Sequence, residues 1–363
     1  MEICNPPQTT SNIIIADHIG NINIYLMDDP KRIEYKLQSG IQSVKDSKDS
    51  NEIEELKQLV ADIYDIKKQN NLKLAARYQM IGKKSTELST TDYYTRKYER
   101  LEQCSTYLEF RREKSTRKYK LINTNLCRVR LCPLCAYKRS LSVYHNTADI
   151  IKYINEKYKR SKYLFLTLTI KNVSGSELSA AIDNLTRGWQ NLAKQKRIKN
   201  VVLGTVRSIE ITYNKRTNTY HPHLHILIHT TADIYAGRNY ISQAEFATRW
   251  QSAVQIDYQP VIDIRQIRHN RGREIAEIAK YSVKPLEWDK CAESVIITLD
   301  DVLHKRHLLS LSGTMREAKR ELKIADIEDK KEWIENFDEG DKILFFYHFS
   351  KNKYNIATAA ERD

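Results

Sequence analysis

Histidine is scarce in this chain, ten among 363 residues, yet four fall inside "TYHPHLHILIHT", Thr219 to Thr230. In an extended strand residues i and i+2 share a face, so His221, His223 and His225 line one side while Leu224, Ile226 and Ile228 line the other. The apolar side must meet the core, which leaves the imidazoles on a face expected to be accessible. Adjacent rings at this spacing can share one cation. A third ligand is expected from the preceding strand, "TVRSIEITY", in which Val206, Ser208, Glu210 and Thr212 share a side and Glu210 is the only acidic residue. Two imidazoles and one carboxylate suit a divalent ion with open positions, Mn²⁺ or Mg²⁺, and by ligand type Zn²⁺ as well. Such an ion polarises a phosphodiester oxygen and stabilises charge on a pentavalent transition state.

A nucleophile is then needed. In "REIAEIAKYSVKP", Glu277 and Tyr281 are four apart and share a helical face, with Lys284 three further on. A phenol can attack phosphorus and a carboxylate beside it can activate water. Lys280 and Lys284 can lower the phenol's pKa and hold the scissile phosphate. With 22 tyrosines in the chain, spacing alone leaves a surface tyrosine in an ion-paired helix as the plainer reading.

A second cluster lies upstream. In "CRVRLCPLC", Cys127 precedes the CxxC pair Cys132 and Cys135, and Cys104 can supply a fourth thiolate across an intervening hairpin, a set that suits a structural Zn²⁺. Cys4 and Cys291 have no partner in spacing. Arg128, Arg130, Lys138 and Arg139 surround the thiolates and are expected to present positive charge to phosphates. The whole chain points the same way: 60 Lys plus Arg against 46 Asp plus Glu give a net charge of +14, which favours a polyanionic partner.

These residues need elements to hold them. "YLFLTLTIK" alternates as a half-buried strand, with Leu164, Leu166, Leu168 and Ile170 on one face, and Leu178, Ile182, Leu185, Trp189 and Leu192 form one helical stripe. The order β-α-β-β-α-β-α over residues 161–290 predicts an α+β fold, an antiparallel sheet with helices packed on one face. Residues 1–100 read as a charged, mostly helical region, where Ile53, Leu56, Val60 and Ile63 make a helical seam. Residues 101–160 hold the cysteine module and a connecting helix, and residues 291–363 a helical extension. No apolar run is long enough to cross a membrane and no signal peptide is seen, so a cytoplasmic protein is expected.

Four stretches occurring in one order, "CRVRLCPLC", "FLTLT", "HPHLH" and "AKYSVKP", resemble the rolling-circle replication initiators of bacterial plasmids, the Rep branch of the HUH endonucleases. The resemblance covers about residues 100 to 325. It implies a ferredoxin/RRM-like sheet with the histidine strand central, His223 and His225 as metal-binding pair, and Glu210 completing the set. Tyr281 would become linked to the 5′ phosphate of the nicked strand, and Glu277 would serve as base for water at termination. The implied partners are plasmid origin DNA, single-stranded or as a hairpin nick site, and a host helicase and polymerase. Strand transfer exchanges one phosphodiester for another, in keeping with the lack of a Walker A loop. Residues 1–100 lie outside the resemblance, with origin binding or self-association into a homo-oligomer as open readings. The alternative is a non-catalytic, zinc-containing DNA-binding regulator. A small-substrate hydrolase would explain neither the charge nor the arginine-rich knuckle.

Overall fold

The computed structural model describes residues 51–112, 119–231, 239–267, 275–279, 286–325 and 342–357, together with residue 283 and the backbone of 15–16, 22–23, 48–50 and 272–274. In chain order the elements are β1 (Ile15–Ala16), β2 (Ile22–Asn23), α1 (Lys48–Leu59), α2 (Ile66–Lys84), α3 (Leu88–Gln103), β3 (Tyr107–Arg112), β4 (Tyr119–Asn123) and α4 (Pro133–Lys157). Then follow β5 (Lys162–Thr169), α5 (Leu178–Lys194), α6 (Lys196–Lys199), β6 (Gly204–Asn214), β7 (Thr219–Thr230), α7 (Gln243–Val254), β8 (Ile262–Ile267) and α8 (Gly272–Ala279). The chain continues with α9 (Glu293–Leu303), β9 (Leu309–Ser312), α10 (Gly313–Glu321), β10 (Lys342–His348) and β11 (Lys353–Ile356).

The larger sheet has five strands in the order β8-β5-β7-β6-β9, with every pairing antiparallel. The histidine strand β7 is therefore central. β6 and β7 form a hairpin whose turn is set by Asn214, whose Oδ1 accepts from the amides of Arg216 at 3.0 Å and Thr217 at 3.3 Å. Asn218 closes it at φ +51°, a left-handed position that asparagine tolerates better than most residues.

One face of this sheet is a hydrocarbon layer. Leu164, Leu166, Leu168, Ile209, Ile211, Leu224, Ile226 and Ile228 are buried against the stripe Leu178, Ile182, Leu185, Trp189 and Leu192 of α5 and against Phe246, Trp250 and Val254 of α7. At Gly188 a Cβ would come within 2.9 Å of the Trp250 ring, so glycine is what lets α5 and α7 touch. The other face, expected to be open, is also covered. Tyr163, Phe165, Val206 and Leu227 are buried there against Ile150, Ile151 and Ile154 of α4, Ile275 and Ile278 of α8, and Met315 and Ala318 of α10. The expected arrangement of helices on one face is thus corrected to helices on both. The physical reason is visible in the alternation: Phe165 and Leu227, on the histidine side, are as apolar as their neighbours on the far side and need a cover of their own.

A second, four-stranded antiparallel sheet has the order β11-β10-β3-β4. Two of its strands come from the chain's last described residues, and β9 joins the larger sheet. The described residues after 291 thus supply two helices, as expected for that extension, and in addition strands of both sheets. α1 runs into α2 through a π-helical turn, Val60–Asp65, and Leu56, Val60 and Ile63 of the predicted seam are buried in the protein's own core.

Candidate metal centres

The two clusters expected from the sequence are both assembled. Each residue of the sets Cys104, Cys127, Cys132, Cys135 and Glu210, His223, His225 offers a ligand atom, with those of a set all within 4.8 Å of one another.

In the sheet, register does the positioning. Glu210 stands directly opposite His223 across the β6–β7 pair, and Ser208 opposite His225. Directly opposed residues project to the same face, so a carboxylate and two imidazoles converge. Nε2 of His223 lies 3.0 Å and Nε2 of His225 2.7 Å from the same oxygen, Glu210 Oε2. All three side chains are buried, contrary to the accessible face expected for them. Burial alone would push the Glu210 carboxyl up, but the contacts from His223 and His225 hold it well below the usual carboxylate range. Burial pushes His225 down, with Glu210 opposing, which favours the neutral ring that a metal ligand requires.

The far side of each ring is also fixed. The Nδ1–H of His223 donates to the backbone carbonyl of His221 at 3.3 Å, which in a neutral ring leaves the lone pair on Nε2, toward Glu210. Nδ1 of His225 meets the Thr167 hydroxyl at 3.3 Å, and Thr167 sits opposite His225 across the β5–β7 pair. Outer contacts of this kind orient metal-binding imidazoles. His221 thereby gains a role through its carbonyl, and Thr167 is a site residue the sequence reading passed over. Its signal was present, because Thr167 lies on the face opposite the leucines of its strand.

The residues fit a divalent ion on one further observation. The second carboxylate oxygen, Glu210 Oε1, is buried and has no hydrogen-bond partner among the described residues, a costly state for a polar atom unless something else satisfies it. Two nitrogens and a carboxylate with an unused oxygen suit an ion that keeps open positions.

Glu277 is buried on α8, near enough for its charge to act on His225. α8 is fastened at its end by the Ser140 hydroxyl of α4, which donates to the Ala279 carbonyl. Four residues later Val283 forms a parallel bridge with Ile211, next to Glu210. Tyr281, Lys280 and Lys284 lie outside the described residues, as does Cys4.

The thiolate set is closed where the other is open. Sγ–Sγ separations are 3.6 Å for Cys104–Cys132, 3.7 Å for Cys104–Cys135 and 3.6 Å for Cys127–Cys135. Four sulfurs at the usual zinc–sulfur bond length of about 2.3 Å would stand about 3.8 Å apart on a tetrahedron. All four cysteines are buried and none is in a disulfide. Backbone amides point at the sulfurs: Cys127 N to Cys104 at 3.4 Å, Arg128 N to Cys135 at 3.3 Å, and Cys135 N to Cys132 at 3.5 Å. Arg128 adopts φ +59° to make this turn.

Of the four cations expected to face phosphate, Arg128 is exposed. Arg130 donates to the Arg306 carbonyl at 3.2 Å and Lys138 to the Leu121 carbonyl at 3.3 Å. Arg139 departs most from expectation: its guanidinium donates to the Arg130 carbonyl at 2.9 Å and is half-buried, within the electrostatic reach of Cys135, Cys132 and Cys127. Cys291 stands apart from both clusters.

Among the described residues no helix is long and apolar enough to cross a membrane. No solved structure matches the chain. A family model described as "Replication protein", Rep_1, matches residues 118–356. Among similar proteins is a "Protein rep" of a Bacillus species, 38% identical over 260 residues that cover 65% of this chain and 84% of the relative. A "Protein rep" of Bacillus amyloliquefaciens is 34% identical, covering 72% of this chain and 82% of its own. One from Streptococcus pneumoniae is 31% identical over 297 residues, covering 79% and 89%. The chain belongs to the Rep_1 family of replication proteins and is a plasmid replication initiator.

Proposed function

We propose that this initiator is an HUH-type, metal-dependent nicking and strand-transferring endonuclease acting on single-stranded or hairpin origin DNA, with Tyr281 as nucleophile. The observation that carries the reading is the convergence of Glu210, His223 and His225 on one point, with a buried carboxylate oxygen left over. A divalent ion, Mn²⁺ or Mg²⁺, held there would draw charge from a non-bridging oxygen of the scissile phosphate. The described chain on either side of Tyr281 supports its assignment: Ala279 is tied to α4, and Val283 is bridged beside Glu210.

In the first step the Tyr281 oxygen bonds to phosphorus and the bond from phosphorus to the 3′ oxygen breaks. The phenol gives up its proton, the 3′ oxygen gains one, and a free 3′ hydroxyl is released for the polymerase. The phosphodiester count is unchanged, so no nucleotide cofactor is consumed. At termination Glu277 takes a proton from water, which attacks the phosphotyrosine and releases Tyr281. Glu277 is buried beside His225, close to where the phosphorus would have to sit. Lys280 and Lys284 would hold the phosphate. Among the knuckle cations Arg128 is the exposed candidate for contact with origin DNA. The cysteine set would hold Zn²⁺ as a structural ion. A regulator without catalysis would leave the buried Glu210–His223–His225 set without a purpose.

The test is to incubate the protein with Mn²⁺ and an origin oligonucleotide and to resolve covalent adducts on a denaturing gel. The unaltered protein should form an adduct and Tyr281→Phe none. An adduct of undiminished yield in Tyr281→Phe would remove the nucleophile from this account.

A further inference from the structure

Lys68 of α2 is the least expected charge in the molecule. Its side chain is wholly buried, 0% exposed, and its ammonium donates to two backbone carbonyls, Glu102 at 2.7 Å and Cys104 at 2.6 Å. The rings of Tyr347 and Phe349 lie 5.3 and 5.5 Å from it. No carboxylate is within ion-pair distance of it among the described residues, although a buried ammonium is costly unless a counter-charge is close. The cysteine set is close to both cations. The Lys68 ammonium is bonded to the carbonyl of Cys104 itself, and Arg139, one turn beyond Cys135 on α4, is bonded to the carbonyl of Arg130, between Cys127 and Cys132 in the chain. Glu102 adds a negative charge near Lys68, and Arg130 a positive one near Arg139.

Four thiolates around one Zn²⁺ leave a net charge of −2 in a buried place. One ammonium and one guanidinium supply +2. We infer that Lys68 and Arg139 are the paired counter-charges of a tetrathiolate zinc site, so that metal binding holds the helices before residue 100 against the rest of the chain. The inference rests on the cysteine set being a zinc site, as proposed above.

Lys68 and Cys104 both precede residues 118–356, the part matched by the family model. One ligand and one counter-charge thus come from the N-terminal layer, while Cys127, Cys132, Cys135 and Arg139 come from the matched part. Other bonds follow the same seam: Asn71 donates to the Leu101 carbonyl at 2.6 Å, and Arg100 to the Cys127 carbonyl. Asn71 is a buried neighbour on the same helix that carries no charge, and so serves as a control.

The experiment measures zinc content and then zinc affinity by chelator competition on the full-length protein. The unaltered protein should hold one zinc; none would refute the zinc site itself, a failure separate from that of the counter-charges. Lys68→Met and Arg139→Met should each weaken zinc binding by about 10- to 100-fold, the usual scale for contacts just outside a metal's ligands. Arg139→Lys, which keeps the charge, should stay within about threefold, as should Asn71→Ala, on that same scale. If Lys68→Met fails to fold, the Arg139 pair still decides the question. Zinc binding by Arg139→Met within threefold of the unaltered protein, or an equal loss in Arg139→Lys and Arg139→Met, would overturn the inference.

Discussion

The two ligand clusters are built from similar burial but opposite degrees of closure. In the cysteine set four sulfurs already stand close to tetrahedral spacing, with backbone amides on them, a full ligand complement for one ion. In the histidine set three side chains converge among the described residues, and one buried carboxylate oxygen has no partner among them. Closed sets stabilise a fold and open ones leave room for chemistry. On this contrast the cysteine set is built as a structural centre would be, and the histidine set leaves the room that the proposed chemistry needs.

Breaking the closed set should have the larger effect. Cys132→Ser, or removal of its metal by a strong chelator, should cost several kcal/mol of stability, since metal binding in such a module is folding free energy. Thermal unfolding would show it as a large fall in midpoint, with nicking lost because the fold is lost. Glu210→Gln should behave in the opposite way. It should leave the midpoint nearly unchanged and lower the nicking rate by about 10²- to 10³-fold, corresponding to several kcal/mol of transition-state stabilisation. A midpoint shift in Glu210→Gln matching that of Cys132→Ser would erase the distinction.

His229 sharpens the comparison from within the histidine strand. It lies on the same face as His225 but meets hydroxyls, Thr314 at 2.9 Å and Ser161 at 3.2 Å, and no carboxylate. Burial pushes it from 6.5 to about 4. Its folded pKa lies below the unfolded one, so the unfolded chain takes up the proton first. The stability it contributes is present above about pH 6.5 and is lost as pH falls toward 4, by up to about 3 kcal/mol. Urea midpoints at pH 7 and 4.5 should show a smaller drop in His229→Gln than in the unaltered protein. The smallest effect is expected at Thr167, which only orients His225: Thr167→Val should weaken binding of the catalytic ion by about tenfold with stability little changed.

How much of this was legible in the sequence varies with the kind of pattern. Period-two alternation placed Glu210, His223 and His225 on one face because the strand register follows from a short hairpin, and the α5 stripe from Leu178 to Leu192 was visible as helical spacing. Ligand type and spacing placed Cys104 with the CxxC pair. The cover over the histidine face was not legible, because α4, α8 and α10 come from three distant parts of the chain and only the apolar Phe165 and Leu227 hinted at them. The inward turn of Arg139 was missed for a similar reason: an arginine near cysteines reads as surface charge until the tetrad is seen to need a counter-charge. Residues 342–357 were read as part of a helical extension, because the pairing of β10 with β3 is a contact across more than two hundred residues that no local pattern records.

Chemistry at the open set and structure at the closed one can be separated in a single preparation. The most direct test is to treat the protein with a chelator mild enough to leave zinc in place, confirm the zinc by elemental analysis, and assay the covalent adduct on origin oligonucleotide with mass-spectrometric mapping of the linked peptide. One retained zinc is expected, with no adduct until Mn²⁺ or Mg²⁺ is restored, and then a nucleotide on Tyr281. Full adduct formation in the chelated, zinc-retaining protein, or a nucleotide mapped to another residue, would overturn this division of roles.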